Sequence, residues 1–360
     1  MTRTSPQVSV VIPAYNAETT LRDTLQSVTG GSYRELEIIV VDDGSTDGTL
    51  AVAQEVSRQD PRVRIEQRKN GGLSAALNSG FALARGKYVA RLDADDLWHP
   101  SKLQYQLDLA RRHPDIAFIY TFARYIDEDG RVLHDGPRQI FPRWALCRGL
   151  YESVVGGGSS ALIKRSAIEE AEGCDEGFRN WEDLSLQLAI SSRHQVGVVP
   201  FYLVGYRVRP GSLSKDVDTM LCGWRAVRAK FIREFSEIPG FVHAWAHGVR
   251  CGMFAEGYAW RRRYLRSATL LLEALNHDPS WVWALLRFRL ARRANKRSSI
   301  IERAAVAPNF FDCDPAKQVT VDAFARHPAS LRFTGFENDR IRILSELDER
   351  LARERTSTDR

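Results

Sequence analysis

Apolar runs and amphipathic stretches alternate through the first part of the chain. Val8–Ala14 is a run of mainly β-branched residues stopped at Pro13, and reads as a buried strand. From Ala17 to Val28 the spacing of Leu21, Leu25 and Val28 puts one apolar face on a helix. Glu37–Val41 is a second apolar strand. Asp47 to Val56 follows as a helix, with Ser45, Thr46 or Asp47 as its cap. Arg62–Gln67 alternates with period two and reads as a third strand. Gly72 to Ala84 aligns Leu73, Ala76, Leu77 and Ala84 as a third helix, and Lys87–Leu92 is a fourth strand. Strands alternating with helices of about ten to fifteen residues predict an α/β fold: a mostly parallel sheet with right-handed crossovers, flanked by helices.

The middle of the chain is mixed. Ile116–Tyr125 reads as a strand, Gly156–Ile163 as a Gly-rich loop running into another, Trp181–Ser191 as a helix, and Gly197–Tyr206 as a strand ending before Pro210. From Asp216 onward the texture changes to long helical patterns, which places a boundary near residues 211–218. Residues 216–300 carry 15 Lys and Arg against seven Asp and Glu, beside Trp281, Trp283, Leu285, Leu286, Phe288 and Leu290. Residues 301–360 read as a helical extension whose charged tail, Glu349 to Arg360, frays.

Composition narrows the class without choosing a function. The 360 residues are 44% hydrophobic and 27% charged, which is ordinary for a protein with a sizeable core. The formal net charge of +6 is compatible with anionic ligands or an anionic surface. No apolar run is long enough to span a bilayer, and the N-terminus lacks the layout of a signal peptide. Five scattered cysteines, never in a C-x-x-C, suit buried small hydrophobes in a reducing, cytoplasmic setting. His243 and His247 are four apart, but no third metal ligand is apparent, so they read as structural. No nucleic-acid recognition motif accompanies the basic charge.

Candidate chemistry gathers where the predicted strands end. In such sheets ligands bind outside the carboxyl ends of the strands. Asp93-Ala94-Asp95-Asp96 packs three carboxylates into four residues, which solvent or a cation must offset. Hard divalent cations take such oxygens together with substrate phosphates, so the tetrad suits a metal-bridged phosphate site; a solvated acidic turn is the plainer reading. Asp43 follows a buried strand and can accept from a base N–H or from ribose hydroxyls. Gly71 and Gly72 precede a helix start, where free N–H groups favour an anion. No G-x-G-x-x-G follows the first strand, which counts against a dinucleotide site. Asp183 opens a helix and reads as a general base or as a dipole partner. Trp181 reads as an apolar face for a sugar ring or as a core residue. The segment YRVRPGSLS, from Tyr206 to Ser214, suits a diphosphate or is a basic surface loop.

In order along the chain, VSVVIPAYNAETTLRDTLQSV, IIVVDDGSTDGT, NGGLSAALNSGFALARGKYVARLDADD, GGGSSALIKRS, NWEDLSL and YRVRPGSLS resemble the inverting glycosyltransferase family 2, with its GT-A fold, of bacterial polysaccharide and glycolipid type. The resemblance covers about residues 7–215 and makes 1–215 a nucleotide-sugar-binding catalytic domain. It implies a nucleotide-diphospho-sugar donor, with a UDP-sugar expected, and Mg2+ or Mn2+. It implies that Pro13, Ala14, Tyr15 and Asn16 line the nucleoside and that Asp43 contacts the base. Asp93 and Asp95 match the D-x-D pair near ribose and metal, Asp183 the catalytic base, and Trp181 and Glu182 lie beside the acceptor. Arg207, Ser212 and Ser214 match the loop that closes over the diphosphate, and Gly71, Gly72 and Arg209 are expected with them on the donor side. Where many members carry a histidine metal ligand, this chain has Arg209, and an arginine cannot ligate a metal.

The resemblance therefore implies transfer of a sugar to a hydroxyl of a saccharide or lipid-linked acceptor. The alternative is a non-catalytic relative that binds a nucleotide-sugar or a lipid. For residues 216–300 two readings stand: docking on an anionic membrane surface, peripheral on the inner face of the cell membrane, or a helical bundle packed on the catalytic domain or on another copy of the chain. Nucleic acid is not an expected partner.

Overall fold

The computed structural model describes residues 5–152, 157–209, 216–280, 308–317 and 334–358. They fall into two compact units. The first takes Met1–Arg143, Val154–Pro210 and Val306–Val321; the second takes Trp144–Ser153, Gly211–Ala305 and Asp322–Arg360.

The first unit is built on a nine-stranded sheet. Strands β1 (Val8–Ala14), β2 (Leu36–Asp42), β3 (Val63–Gln67) and β4 (Tyr88–Arg91) are mutually parallel. Helices α1 (Leu21–Thr29), α2 (Thr49–Gln59) and α3 (Leu73–Leu83) connect them. Every residue of β1, β2 and β4 is buried, as strands covered on both faces must be. Leu21 and Leu25 of α1 seal this core together with Ile12, Ile38 and Val40. Each such side chain contributes on the order of 1.5–3 kcal/mol by leaving water. Pro13 sits inside a central strand without cost, because the pairing of β1 with β4 ends at Val11 and Arg91.

The chain then turns at the tetrad into β5 (Leu97–Trp98), and continues through α4 (Lys102–Arg112), β6 (Ile116–Ile126) and β7 (Val132–Asp135). Beyond the Gly-rich loop lie β8 (Leu162–Lys164), α6 (Arg165–Glu170), α7 (Glu182–Ser191) and β9 (Gln195–Arg207). The strand order is β3-β2-β1-β4-β8-β6-β9-β5, with β7 on β6. The order reverses between β1 and β4, so a crevice opens at their carboxyl ends. The tetrad, Tyr15, Asn16 and Asp43 all lie at that rim.

Two expectations are corrected here. α2 has Gly48, not Ser45, Thr46 or Asp47, at its cap position; Asp47 still accepts the Thr49 N–H at 3.0 Å. Residues 308–317 belong to the sheet unit rather than to a C-terminal extension. Phe310 is fully buried among Leu97, Ile126 and Val132, and Asn309 bridges Arg131.

The second unit is helical: α5 (Leu146–Tyr151), α8 (Val217–Glu234), α9 (Gly240–Trp260), α10 (Tyr264–His277) and α11 (Thr334–Thr358). Asp216 caps α8 by accepting the Asp218 and Thr219 N–H groups. The tail expected to fray is helical through Thr358, because Leu344, Leu347 and Leu351 are buried along one face of α11. Asp348 of the same helix accepts the Cys147 and Arg148 N–H groups at the start of α5, 2.6 and 3.1 Å away. The Trp281-to-Leu290 stretch lies outside the described residues. None of the described helices is long and apolar enough to cross a membrane.

Candidate active site

The tetrad is a tight turn closed by the Asp96 N–H on the Asp93 carbonyl. Its three carboxylates point to three different partners. Asp93 accepts two bonds from Arg91, 2.7 Å from Nε and 3.2 Å from Nη2. Asp95 lies 3.1 Å from Arg209 Nη2. Asp96 points inward, accepting from Ser159 Oγ at 2.6 Å and from the Arg207 N–H at 2.9 Å. Burial, reinforced by the charges of Asp95 and Asp93, holds the Asp96 carboxyl well above the usual range. Asp96 is thus an anchor that no local pattern separated from its neighbours. Ser159 ties the Gly-rich loop to the same turn by accepting the Asp93 N–H.

Arg91 is the second residue that sequence reasoning left unassigned. It ends β4, is 7% exposed, and reaches Glu182 Oε1 with Nη1 at 2.8 Å while holding Asp93. Burial opposes its charge, but Asp93 and Glu182 hold the guanidinium more firmly protonated than usual. One buried cation therefore joins the turn after β4 to the start of α7, across 91 positions of sequence. The position of Gly158 is required for this. A Cβ there would stand 2.2 Å from Arg91 Cδ.

Asp183 follows Glu182 at the start of α7. It is half-buried, and its Oδ1 accepts the Leu184 N–H at 2.7 Å. Burial raises its proton affinity; Arg91 opposes that shift and Asp93 adds to it. Arg91 and Asp93 thus both bear on Asp183, which links the two motifs electrostatically. Burial likewise raises the Asp95 carboxyl, with Asp93 adding to the shift and Arg209 opposing it. Gly157 lies against Asp183, where a Cβ would be 3.6 Å from Oδ2. Trp181, expected inside the helix, is its left-handed N-cap at φ 64°, an uncommon backbone for an aromatic residue. Asn180 keeps both side-chain amide atoms buried and unpartnered among the described residues.

Several residues expected around a donor nucleotide are placed differently. Pro13 and Ala14 are buried in β1, so only Tyr15, 53% exposed, and Asn16 face outward. Asn16 has φ 49° and clasps the next loop, donating its N–H to Ser45 Oγ and accepting the Thr46 N–H. The Gly71 and Gly72 N–H groups do not await an anion. They donate to the Asp43 carboxylate at 3.0 and 2.8 Å, and Arg68 pairs with it at 3.2 Å. Asp43 is buried, with both oxygens already engaged. Arg207 is no open diphosphate ligand. It is 2% exposed, and its guanidinium donates to the carbonyls of Asp95, Asp127 and Glu128. Glu182 is 5% exposed and serves Arg91 rather than an acceptor. Ser212 and Ser214 lie outside the described residues.

Among the described residues, the cluster that brings three possible metal-ligating atoms within 4.8 Å of one another is His247, Cys251 and Glu273 in the helical unit; His243, four residues before His247, is not part of it. Trp224 donates to His247 Nδ1 at 3.1 Å, so the ring proton sits on Nε2, 2.8 Å from Glu273. That tautomer leaves no nitrogen lone pair for a metal. Burial, against the pull of Glu273, lowers the His247 pKa to about 4. The cluster is a satisfied buried network, in keeping with the structural reading of His247.

Comparison with known proteins places this rim in a context. Residues 9–171 match the glycosyl transferase family 2 model. A putative teichuronic acid biosynthesis glycosyltransferase, TuaG of Bacillus subtilis, is 39% identical over 134 residues, which are 37% of this chain and 53% of that protein. The chain spans about half or less of the length of the curated relatives it matches. Among solved structures, Staphylococcus aureus TarS 1-349 in complex with UDP-GlcNAc aligns with TM-score 0.52 at 17% identity, over 74% of this chain and 90% of that one. The mannosyltransferase PcManGT of Pyrobaculum calidifontis, in complex with GDP-Man and Mn2+, aligns with TM-score 0.54 at 20% identity, over 81% and 82%. At these identities the structural likeness concerns the fold.

Proposed function

From the match of residues 9–171 to the glycosyl transferase family 2 model, we propose that the chain is a glycosyltransferase acting on a nucleotide-diphospho-sugar. It moves the sugar, with inversion, to a hydroxyl of a saccharide or lipid-linked acceptor in cell-surface polysaccharide or glycolipid synthesis. One observation carries this reading: the Arg91 guanidinium binds both Asp93 and Glu182, bringing the D-x-D turn and the Asp183 helix start to one rim. TuaG supports a polysaccharide context. The structural neighbours bind a uridine and a guanosine donor respectively, so a UDP-sugar is one candidate and GDP-sugars belong in the same test.

The chemistry follows from the groups at hand. A sugar hydroxyl is a poor nucleophile. Asp183 takes its proton as the hydroxyl oxygen bonds to the anomeric carbon and the bond from that carbon to the diphosphate oxygen breaks. Burial suits Asp183 to this role by raising its basicity above that of a solvated carboxylate. Asp183 Oδ1 is fixed by the Leu184 N–H, which aims the carboxylate. Among the described residues, Arg209, paired with Asp95 and 31% exposed in its side chain, is the cation at the tetrad open to meet a leaving diphosphate, since Arg91 and Arg207 are enclosed. Asp43, held by Gly71 and Gly72, borders the nucleoside side with Tyr15 and Asn16.

A divalent cation, Mg2+ or Mn2+, fits the donor set. Asp93 and Asp95 offer hard oxygens on side chains 24% and 26% exposed, and the Arg209 guanidinium already stands as a cation on Asp95. When bound, such an ion supplies charge stabilisation to the departing diphosphate. A lipid-linked acceptor would bring the chain to the inner face of the cell membrane. Exposed Trp260, Tyr264 and Leu265 beside Arg261, Arg262 and Arg263 support that placement.

The test is a donor panel with product analysis by mass and anomeric NMR. Asp183→Asn is expected to lower transfer by at least about a hundredfold, within the usual range for a general base, while nucleotide binding persists. Asp95→Ala is expected to weaken both. Unchanged transfer in both variants would remove the assignment.

A further inference from the structure

Three arginines surround the tetrad, and they are held very differently. Arg91 makes two bonds to Asp93 and one to Glu182. Arg207 is enclosed and bonded to backbone carbonyls. Arg209 meets Asp95 through a single nitrogen at 3.1 Å, and its Nε is buried without a hydrogen-bond partner among the described residues. It is the most weakly anchored of the three and the most exposed, at 31% against 8% and 1% for the side chains of Arg91 and Arg207. Asp95 in turn has no other ion pair among the described residues.

We propose that Arg209 is a displaceable guard on Asp95: guanidinium and divalent cation compete for one carboxylate, and the donor diphosphate settles the competition by drawing Arg209 onto its own oxygens. The inference rests on the proposed use of a nucleotide-diphospho-sugar. Two cations on one carboxylate repel, so a metal ion entering alone must displace the arginine. A diphosphate changes the balance. Its planar fit to a guanidinium offers Arg209 two parallel bonds in place of one, and it supplies the further oxygens that Mg2+ or Mn2+ requires. The arginine that cannot ligate a metal thus makes metal entry conditional on the donor. Loading becomes cooperative, and the bare carboxylates are not left holding an ion when no donor is present.

The experiment measures Mn2+ binding to the full chain by titration calorimetry and by the EPR signal of free Mn2+, alone and with saturating UDP or GDP. Wild type, Arg209→Gln and Arg209→Lys are compared, with Asp95→Asn as the site control. Arg209→Gln is expected to bind Mn2+ alone at least tenfold more tightly than wild type, and Arg209→Lys to stay near wild type because the charge remains. The nucleotide is expected to tighten Mn2+ binding at least tenfold more in wild type than in Arg209→Gln. Equal Mn2+ affinity of wild type and Arg209→Gln without nucleotide overturns the proposal, as does Mn2+ binding that survives Asp95→Asn or that no variant shows. Sugar transfer is read separately. Its absence across the donor panel would count against the function and leave the Mn2+ comparison to judge the guard.

Discussion

Replacing Arg91 by Met removes the cation on which the site is assembled while keeping much of the side-chain volume. Arg91 is 7% exposed, and its partners Asp93 and Glu182 lie 2.7 and 2.8 Å away. Removing one member of a buried pair costs about 3–5 kcal/mol, because the partner stays buried and charged without compensation. At about 1.4 kcal/mol per decade, local opening of β4 and α7 should become roughly a hundred- to a few-thousand-fold more frequent. Amide hydrogen exchange followed by mass spectrometry reads this directly on peptides covering Tyr88–Arg91 and Glu182–Ser191. The pH dependence supplies a sign. Burial raises the Glu182 and Asp183 carboxyls, and Arg91 opposes that in both. Without Arg91 both rise further, so the native state binds protons more tightly than the unfolded chain, and the lost stability returns as pH falls. Under the proposed role of Asp183 as base, the acidic limb of the transfer rate is expected to move to higher pH for the same reason, since a base must be ionised to act. Exchange that accelerates less than tenfold at pH 7, with no recovery at pH 5, would mean that these charges are screened by solvent and that Arg91 does not organise the site.

Two further outcomes follow from single contacts. Gly158→Ala puts a Cβ within 2.2–2.6 Å of Arg91 Cδ, Nε and Cζ; it should displace the guanidinium and reproduce the alkaline shift of the acidic limb with circular dichroism unchanged, and an unmoved pH profile refutes it. In the helical unit, Asp348→Ala leaves two buried N–H groups of α5 unpaired and should cost about 2–4 kcal/mol in chemical denaturation. Burial raises the Asp348 pKa from 3.8 to about 6, so its contribution to stability is full below 3.8 and is lost as pH rises through 6. Asp348→Asn should abolish that slope, and a slope that persists locates it elsewhere.

Much of the fold was legible because its signals are local. The four parallel strands read directly from short apolar or alternating runs, and the observed bounds differ from the expected ones by at most a residue at each end. That the tetrad and Asp43 lie at strand ends was legible as well, since each directly follows a strand set by local pattern. The assignment of individual donors was not. Asp93, Asp95 and Asp96 are equivalent in a string of letters, yet one binds Arg91, one Arg209, and one is sealed under Ser159. The division of the chain also escaped, because residues 308–317 join the sheet through Phe310, a contact over long sequence separation that no periodicity encodes.

What the amino-acid order alone determined is which chemical groups exist and which short segments extend or coil, since propensity and amphipathic spacing act over a few residues. What only the folded chain decided is which charges meet. Gly71 and Gly72 give their N–H groups to Asp43, Arg207 turns inward to carbonyls, and Arg91 gathers Asp93 and Glu182. A hydrogen bond is satisfied by whichever partner is nearest in space: Asp93 is two residues from Arg91, but Glu182 is 91 away, and the partners of Gly71, Gly72 and Arg207 named here lie 28 to 112 residues away along the chain.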